Sequence, residues 1–404
     1  MRTFARTTSF LTFVALVILF VSGCDNPKTG SLYDPSATYR PQPTIASISP
    51  AGSAFAGMDT IVIAGTNFSS VLSEDAVLFN TTQAALLKAT TTQITLMAPL
   101  VTMDSIAIRI SVYGSDLFSN TFQYKLKAGV ATFGGLVTAN AELATALATD
   151  AAGNVYSGYS LAGTEAGITK ITAVGVRSGY APATAGVAVW SGFKMGPGGY
   201  IYGARNVRAL YRYSPGGGSS AVLWTQVVGA TFSDFDFDQS GNMWAGGNNS
   251  NIYRIDQSKT VSSYPFVGVV HSLRVYNGYL YFSAKTDAGE KVWRASISPT
   301  TGLGTPEIYF DFASAYPTNS ALAITFSSDG ILYIGTDSPD GLLVVNPNKS
   351  FSAPFAAYKS LYSPAFFSLA WGAADDLYAT SSAGVLMKIT VRGKKSAPYY
   401  GGTP

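Results

Sequence analysis

Thr149-Asp150-Ala151-Ala152-Gly153-Asn154-Val155-Tyr156 and Phe237-Asp238-Gln239-Ser240-Gly241-Asn242-Met243-Trp244 are two copies of one phrase. Each runs from an acidic residue through a glycine turn to an apolar residue and an aromatic. Looser copies stand at Gly199-Tyr200-Ile201-Tyr202, Gly278-Tyr279-Leu280-Tyr281, Gly330-Ile331-Leu332-Tyr333 and Asp375-Asp376-Leu377-Tyr378. Successive aromatics are 46, 42, 37, 52 and 45 residues apart. A further strand-like run follows each aromatic: Gly167–Ile171, Ala209–Tyr213, Asn251–Ile255, Lys291–Ala295, Gly341–Val345 and Val385–Ile389. A period of this length built from short strands is the pattern of a β-propeller. With one strand before each turn and a weaker fourth strand, the repeats predict six four-stranded blades. Either Val130–Phe133 or Ala397–Tyr400 supplies the outer strand that closes the ring. Closure matters because it removes open sheet edges.

The first strands align across the blades. Leu147, Phe193, Phe235, Leu273, Ile324 and Leu369 are apolar and are expected to pack between blades. The flanking positions are small or polar, and a period of two turns them to the opposite face, near the central channel. Lys194, Asp236 and Arg274 fall there in three successive blades and predict a charged network at the axis. Structural pairing is the favoured reading of such a network. Asp234-Phe235-Asp236-Phe237-Asp238 begins like a calcium loop, but Gln239 stands where the loop needs glycine and Ala245 where it needs glutamate.

Carried by the phrase at Thr149–Tyr156 above all, residues 128–404 resemble six-bladed propellers of NHL type. The fourth and sixth repeats are degenerate. Upstream, residues 43–127 alternate apolar and polar positions between turn residues. Strand candidates are Thr44–Ile48, Thr60–Ala64, Ala76–Phe79, Gln93–Met97, Ser105–Val112 and Thr121–Lys125. This suits a small immunoglobulin-like sandwich. Ile45, Ile48, Pro50 and Gly57, the run Ile61-Val62-Ile63-Ala64-Gly65-Thr66-Asn67-Phe68, and the ending Asn120-Thr121-Phe122-Gln123-Tyr124 resemble the IPT/TIG family. The resemblance implies a spacer or binding module. The fold expected is therefore all-β, a sandwich followed by a propeller.

The N-terminus carries Arg2 and Arg6, then an apolar run from Phe10 to Val21, too short to span a bilayer. Val21-Ser22-Gly23-Cys24 follows, and Cys24 is the one cysteine of the chain. These residues resemble a bacterial lipobox. The resemblance implies a signal peptide over residues 1–23, cleavage after Gly23 and a lipid on Cys24 that anchors the protein to a membrane. Asp25 resembles an inner-membrane retention signal of enterobacteria, a rule other phyla do not follow, so either membrane of an envelope is compatible. Residues 24–42 read as the acylated N-terminus and a flexible tether.

Of 404 residues only 12% are charged, the net charge is +3, and no basic stripe is present, which disfavours nucleic acid as a partner. His271 is the one histidine, and glutamates are few, so neither a catalytic triad nor a histidine-based metal site is evident. No cofactor and no metal are expected. Loops between second and third strands, and loops leading into first strands, gather on one propeller face. They carry Trp190, Arg205, Phe232, Asn248, His271, Lys285, Tyr316, Asp337 and Phe366, aromatics beside amides and charges that suit a sugar ring or a peptide. The expectation is a membrane-anchored, non-catalytic binding protein of a bacterial cell envelope, with a glycan or protein ligand. A structural or assembly module of an envelope complex is the alternative, and a metal-dependent hydrolase or lyase a third.

Overall fold

The computed structural model describes residues 39–136, 140–186, 188–359 and 365–400. The expected signal peptide, Cys24 and most of the tether lie outside them. The first unit is a sandwich of two sheets. One orders Thr44–Ser49, Thr60–Thr66, Gln93–Met97 and Leu86–Ala89; the other orders Ser53–Phe55, Phe122–Lys127, Met103–Val112, Asp75–Phe79 and Thr82–Gln83. Ile106, Ile108, Ile110 and Val112 are at most 1% exposed, so alternation along that strand buries one face between the sheets. Gly65 serves close approach rather than a turn: a Cβ there would lie 1.9 Å from the Thr44 carbonyl oxygen. Asn67 takes the left-handed conformation, with φ at 62°, and its amide donates to the Gln42 carbonyl at 2.9 Å. Phe68 then closes the end of the core.

Among the described residues, the remaining strands make six blades around an axis. Blade one is Glu142–Thr149, Val155–Leu161, Thr164–Ile171 and Arg177–Ala181. Blade two is Gly192–Met195, Ile201–Ala204, Ala209–Tyr213 and Val222–Gln226. Blades three and four share one strand, Val261–Tyr276. Its first half pairs with Asn248–Ile255 as the outer strand of blade three, and its second half pairs with Tyr279–Thr286 as the inner strand of blade four. His271 therefore sits at a bulge inside a continuous strand, not in the loop expected before blade four. Blade five begins with Ala321–Phe326 and blade six with Phe366–Trp371.

Val130–Thr132 pairs with Ile389 to Met387 and closes the ring, so the N-terminal candidate supplies the outer strand. The apolar residues of the inner strands behave as expected: Leu147, Phe193, Phe235, Leu273, Ile324 and Leu369 are at most 1% exposed. The repeated phrase has a physical cause. In blade one the Asp150 carboxylate accepts from the backbone N–H of Ala152 and Asn154, the Asn154 side chain and the Tyr156 hydroxyl. Asp238 repeats this in blade three, with Ser240, Asn242 and the Trp244 indole. Aspartate, glycine, asparagine and aromatic together make one hydrogen-bonded turn. The Asp238 carboxylate is thus engaged by protein donors rather than set up as a calcium ligand.

Tyr358, between blades five and six, ties the two units together. Its hydroxyl donates to the Ala56 carbonyl and accepts from Gly129 N–H at 2.8 Å. Arg392 pairs with Asp59 at 3.1 Å beside it.

Candidate functional site

The inner strands bring a charge network to the axis, but its hub is Asp234 rather than Asp236. Lys194 Nζ lies 3.1 Å from Asp234 Oδ1, and Arg274 Nη1 lies 3.2 Å from Oδ2. Ser272 Oγ and Leu273 N–H also donate to Oδ2, at 2.8 and 3.0 Å. Arg274 spans further, donating to the Leu369 carbonyl of blade six at 2.9 Å. Burial works against the Asp234 carboxylate, yet Lys194 and Arg274 outweigh it and hold the group below the usual carboxylate range. Burial, followed by repulsion from Arg274, lowers Lys194. Asp236 takes no ion-pair partner among the described residues. Its oxygens accept from Phe237 N–H and Val275 N–H, both at 2.9 Å, and burial pushes its carboxyl upward. Side chains two residues apart on one strand share a direction, which is why the sequence placed Asp236 here; the shorter reach to Lys194 and Arg274 belongs to its neighbour.

The C-terminal tail covers the mouth of the channel at the end where the glycine turns lie. Ala397 N–H donates to Phe326 O at 3.0 Å, the Tyr399 hydroxyl lies 3.1 Å from that of Thr149, and Tyr400 packs on Phe237 with ring centres 5.7 Å apart. Beneath the tail is a cavity of about 50 Å³, lined by Lys194, Asp236, Arg274, Thr325, Ala370 and Tyr399 among others. It has room for a few waters and no more. Beside the tail, on the same face, a cleft of about 1330 Å³ opens between blades three and four. Tyr276 and Tyr400 line it with Gln239, Asn242, Arg254 and Asn277. Tyr276 is braced on one side by Phe326, stacked at 4.8 Å. Gln239 and Asn277 are exposed, and Arg254 has no ion-pair partner among the described residues. Ring faces, free amides and an unpaired guanidinium are the groups a polar, ring-bearing ligand uses.

Comparison with known proteins bears on both units. Residues 43–126 match the family model described as the IPT/TIG domain. The sandwich is of IPT/TIG type. No curated protein matches the chain. Among solved structures, an auxiliary nutrient binding protein from Bacteroides thetaiotaomicron is similar over 90% of this chain and 99% of its own, with TM-score 0.50 and 12% identity. A protein of the same organism named as a candidate phosphatase is similar over 89% and 98%, with TM-score 0.54 and 12% identity. A gluconolactonase from Xanthomonas campestris is similar over 64% and 88%, with TM-score 0.50 and 13% identity. At these identities the likeness is one of fold.

Beyond the IPT/TIG-type sandwich, the residues read as a ligand face scatter across the opposite end of the propeller. Trp190, Phe232 and Phe366 are at most 2% exposed and belong to the core, so they present no ring to a ligand. Trp190 also donates to the Glu165 carboxylate at 3.2 Å. Arg205 stacks over Tyr211, 4.4 Å from its ring centre. Asp337 accepts from Ser320 N–H at 2.7 Å, and the Tyr316 hydroxyl donates to Asp340 at 2.5 Å. His271 Nε2 lies 3.4 Å from the buried Glu290 carboxylate. Asn248 and Lys285 are exposed. The structure brings Trp190 and Arg205 together and sets Asn248 and Lys285 on either side of Val269, but the buried rings of Trp190, Phe232 and Phe366 add nothing to that surface. The cleft was missed because its residues are turn residues, and because Pro398-Tyr399-Tyr400 reads as a strand. Two adjacent tyrosines after a proline were the available signal.

Proposed function

We propose that the chain is a non-catalytic binding protein of a bacterial cell envelope, held to a membrane by lipid on Cys24, whose propeller takes a glycan in the cleft between blades three and four. The cleft carries the reading: Tyr276 and Tyr400 offer flat apolar faces, Gln239 and Asn277 offer amides, and Arg254 suits an anionic substituent. The likeness in fold to a protein named as an auxiliary nutrient binding protein, which extends over both units, supports it. The buried charges at the axis are engaged with one another, which suits a scaffold.

A hydrolase is the second reading, favoured by the likeness in fold to the gluconolactonase. Among the described residues, no three His, Cys, Asp or Glu side chains group as metal donors. Titration of the chain from residue 39 onward against an oligosaccharide panel tests the first reading. Binding that Tyr400→Ala and Arg254→Ala each weaken about tenfold, ~1.4 kcal/mol, supports it. Turnover of a lactone with a stoichiometric divalent ion moves the assignment to the second.

A further inference from the structure

The sandwich has two unlike ends. Its propeller end holds Ala56 and Asp59, which meet Tyr358 and Arg392. The strand Met103–Val112 runs from that end to the other, a span of ~30 Å. At the far end, apolar side chains point into solvent: Tyr113 is 77% exposed, Leu117 60%, Phe118 44%, Val71 49% and Leu72 43%. A monomeric soluble protein rarely gathers such residues without a use for them.

The loops that carry them are held in place. Tyr113 N–H donates to Glu74 O at 2.7 Å, and Ser119 N–H donates to Ile110 O at 2.8 Å. The N-terminal segment is fastened to the same end, through Arg40 N–H to Gly114 O at 2.6 Å and Gln42 Nε2 to Phe118 O at 2.7 Å. The chain therefore leaves the sandwich at its apolar end, opposite the propeller. About 15 residues separate Cys24 from Tyr39, a reach of at most ~50 Å.

We propose that this end of the sandwich rests on the lipid surface, with Tyr113, Leu117 and Phe118 entering the headgroup layer. The inference rests on the reading of Cys24 as the acylated residue. The lipid anchor holds the apolar end within reach of a bilayer, where weak apolar contacts suffice. One cation accompanies them: Arg109 lies over the Phe118 ring, 5.2 Å from its centre, and suits anionic headgroups, whereas Arg40, beside Gly114, is already paired with Glu74 at 2.7 Å. Asp116 is exposed in the same loop, so immersion stops at the side chains. The sandwich thereby stands upright and carries the propeller away from the membrane.

Full-length chain carrying Leu117→Cys or, at an exposed propeller position, Val267→Cys is purified with its lipid and reconstituted into vesicles of phosphatidylethanolamine and phosphatidylglycerol. With Cys24 blocked by acyl chains, the introduced thiol takes a nitroxide label. The label at residue 117 should be reached by oxygen in preference to a water-soluble nickel complex, and the label at 267 the reverse. Adding Tyr113→Asp and Phe118→Asp should return the label at 117 to water with the melting temperature unchanged. Acylated, membrane-held protein whose label at 117 is as aqueous as that at 267 overturns the proposal and leaves the anchor standing. An N-terminal peptide mass without acyl chains overturns the anchor and the proposal together. A label that is aqueous in lipid vesicles and shielded only in native membranes assigns this end to a protein partner and overturns the proposal as well.

Discussion

The Tyr399 hydroxyl lies 3.1 Å from the Thr149 hydroxyl, so the end of the described chain is bound to the first blade. The tail leaves blade six, crosses blade five at Phe326 and spans the channel mouth. Tyr399 and Tyr400 both line the cavity and the cleft but differ in their contacts: the first bonds Thr149 through its hydroxyl, and the second packs its ring on Phe237. Tyr399→Phe removes one half-buried hydrogen bond and should cost about 0.5–1.5 kcal/mol in urea denaturation, with glycan affinity unchanged. Tyr400→Ala should lower affinity about tenfold and, by stripping a half-buried ring from Phe237, also cost the fold about 1–2 kcal/mol.

Asp234 and Asp236 share a strand and should respond oppositely. Asp234→Asn leaves Lys194 and Arg274 buried against a neutral group and should cost about 3–5 kcal/mol at pH 7. The folded state lowers the Asp234 carboxyl, so its contribution is present above the ordinary aspartate range near pH ~3.9 and is lost as pH falls toward the folded value. Asp234→Asn should therefore flatten the loss of stability in acid. Asp236 is raised by burial, so its charge costs stability once pH exceeds the ordinary range. Asp236→Asn should stay within ~1 kcal/mol of wild type at pH 7, one lost backbone acceptor offsetting that relief. Stability measured from pH 3 to 8 separates the two.

The aspartate turn makes a local prediction. Asp238→Ala strips the acceptor from Ser240 N–H, Asn242 and the Trp244 indole at one stroke. A loss of about 2–4 kcal/mol is expected, with Asp150→Ala similar in blade one. Asp375→Ala should cost under ~1 kcal/mol, since the sixth copy lacks the asparagine and the phrase is degenerate there.

Tyr358 should govern whether the two units melt together. Tyr358→Phe leaves Gly129 N–H and Ala56 O without their shared partner. Calorimetry should show two resolved transitions in the variant where the parent shows one, and Arg392→Ala, at an exposed ion pair, should leave the single transition intact.

Much of this fold is readable from period and alternation. Leu147, Phe193, Phe235, Leu273, Ile324 and Leu369 lie between blades because a period-two pattern inside a repeating unit leaves them no other face. What the pattern lacked was reach. It put Asp236 on the channel face, where the residue lines the cavity beneath the tail, yet whether Lys194 turns to Asp236 or to Asp234 depends on side-chain geometry. It offered two strands for ring closure because both are short and apolar; Val130–Thr132 wins by pairing with Leu386–Thr390, while proline at 398 denies the tail a ladder donor. It read Trp190, Phe232 and Phe366 as a binding face, where blade packing consumes them. The cleft is assembled from turns of different blades, and the two tyrosines after Pro398 are the one local sign of it.

Hydrogen exchange of the chain with and without a bound oligosaccharide tests the placement of the site most directly. Protection is expected in the turns at Phe237–Asn242, Tyr276–Gly278 and Ile297–Pro299. Protection instead at Arg205–Arg208, Asn248–Asn249 and Lys285–Asp287, with those turns unchanged, would contradict it and move the site to the opposite face.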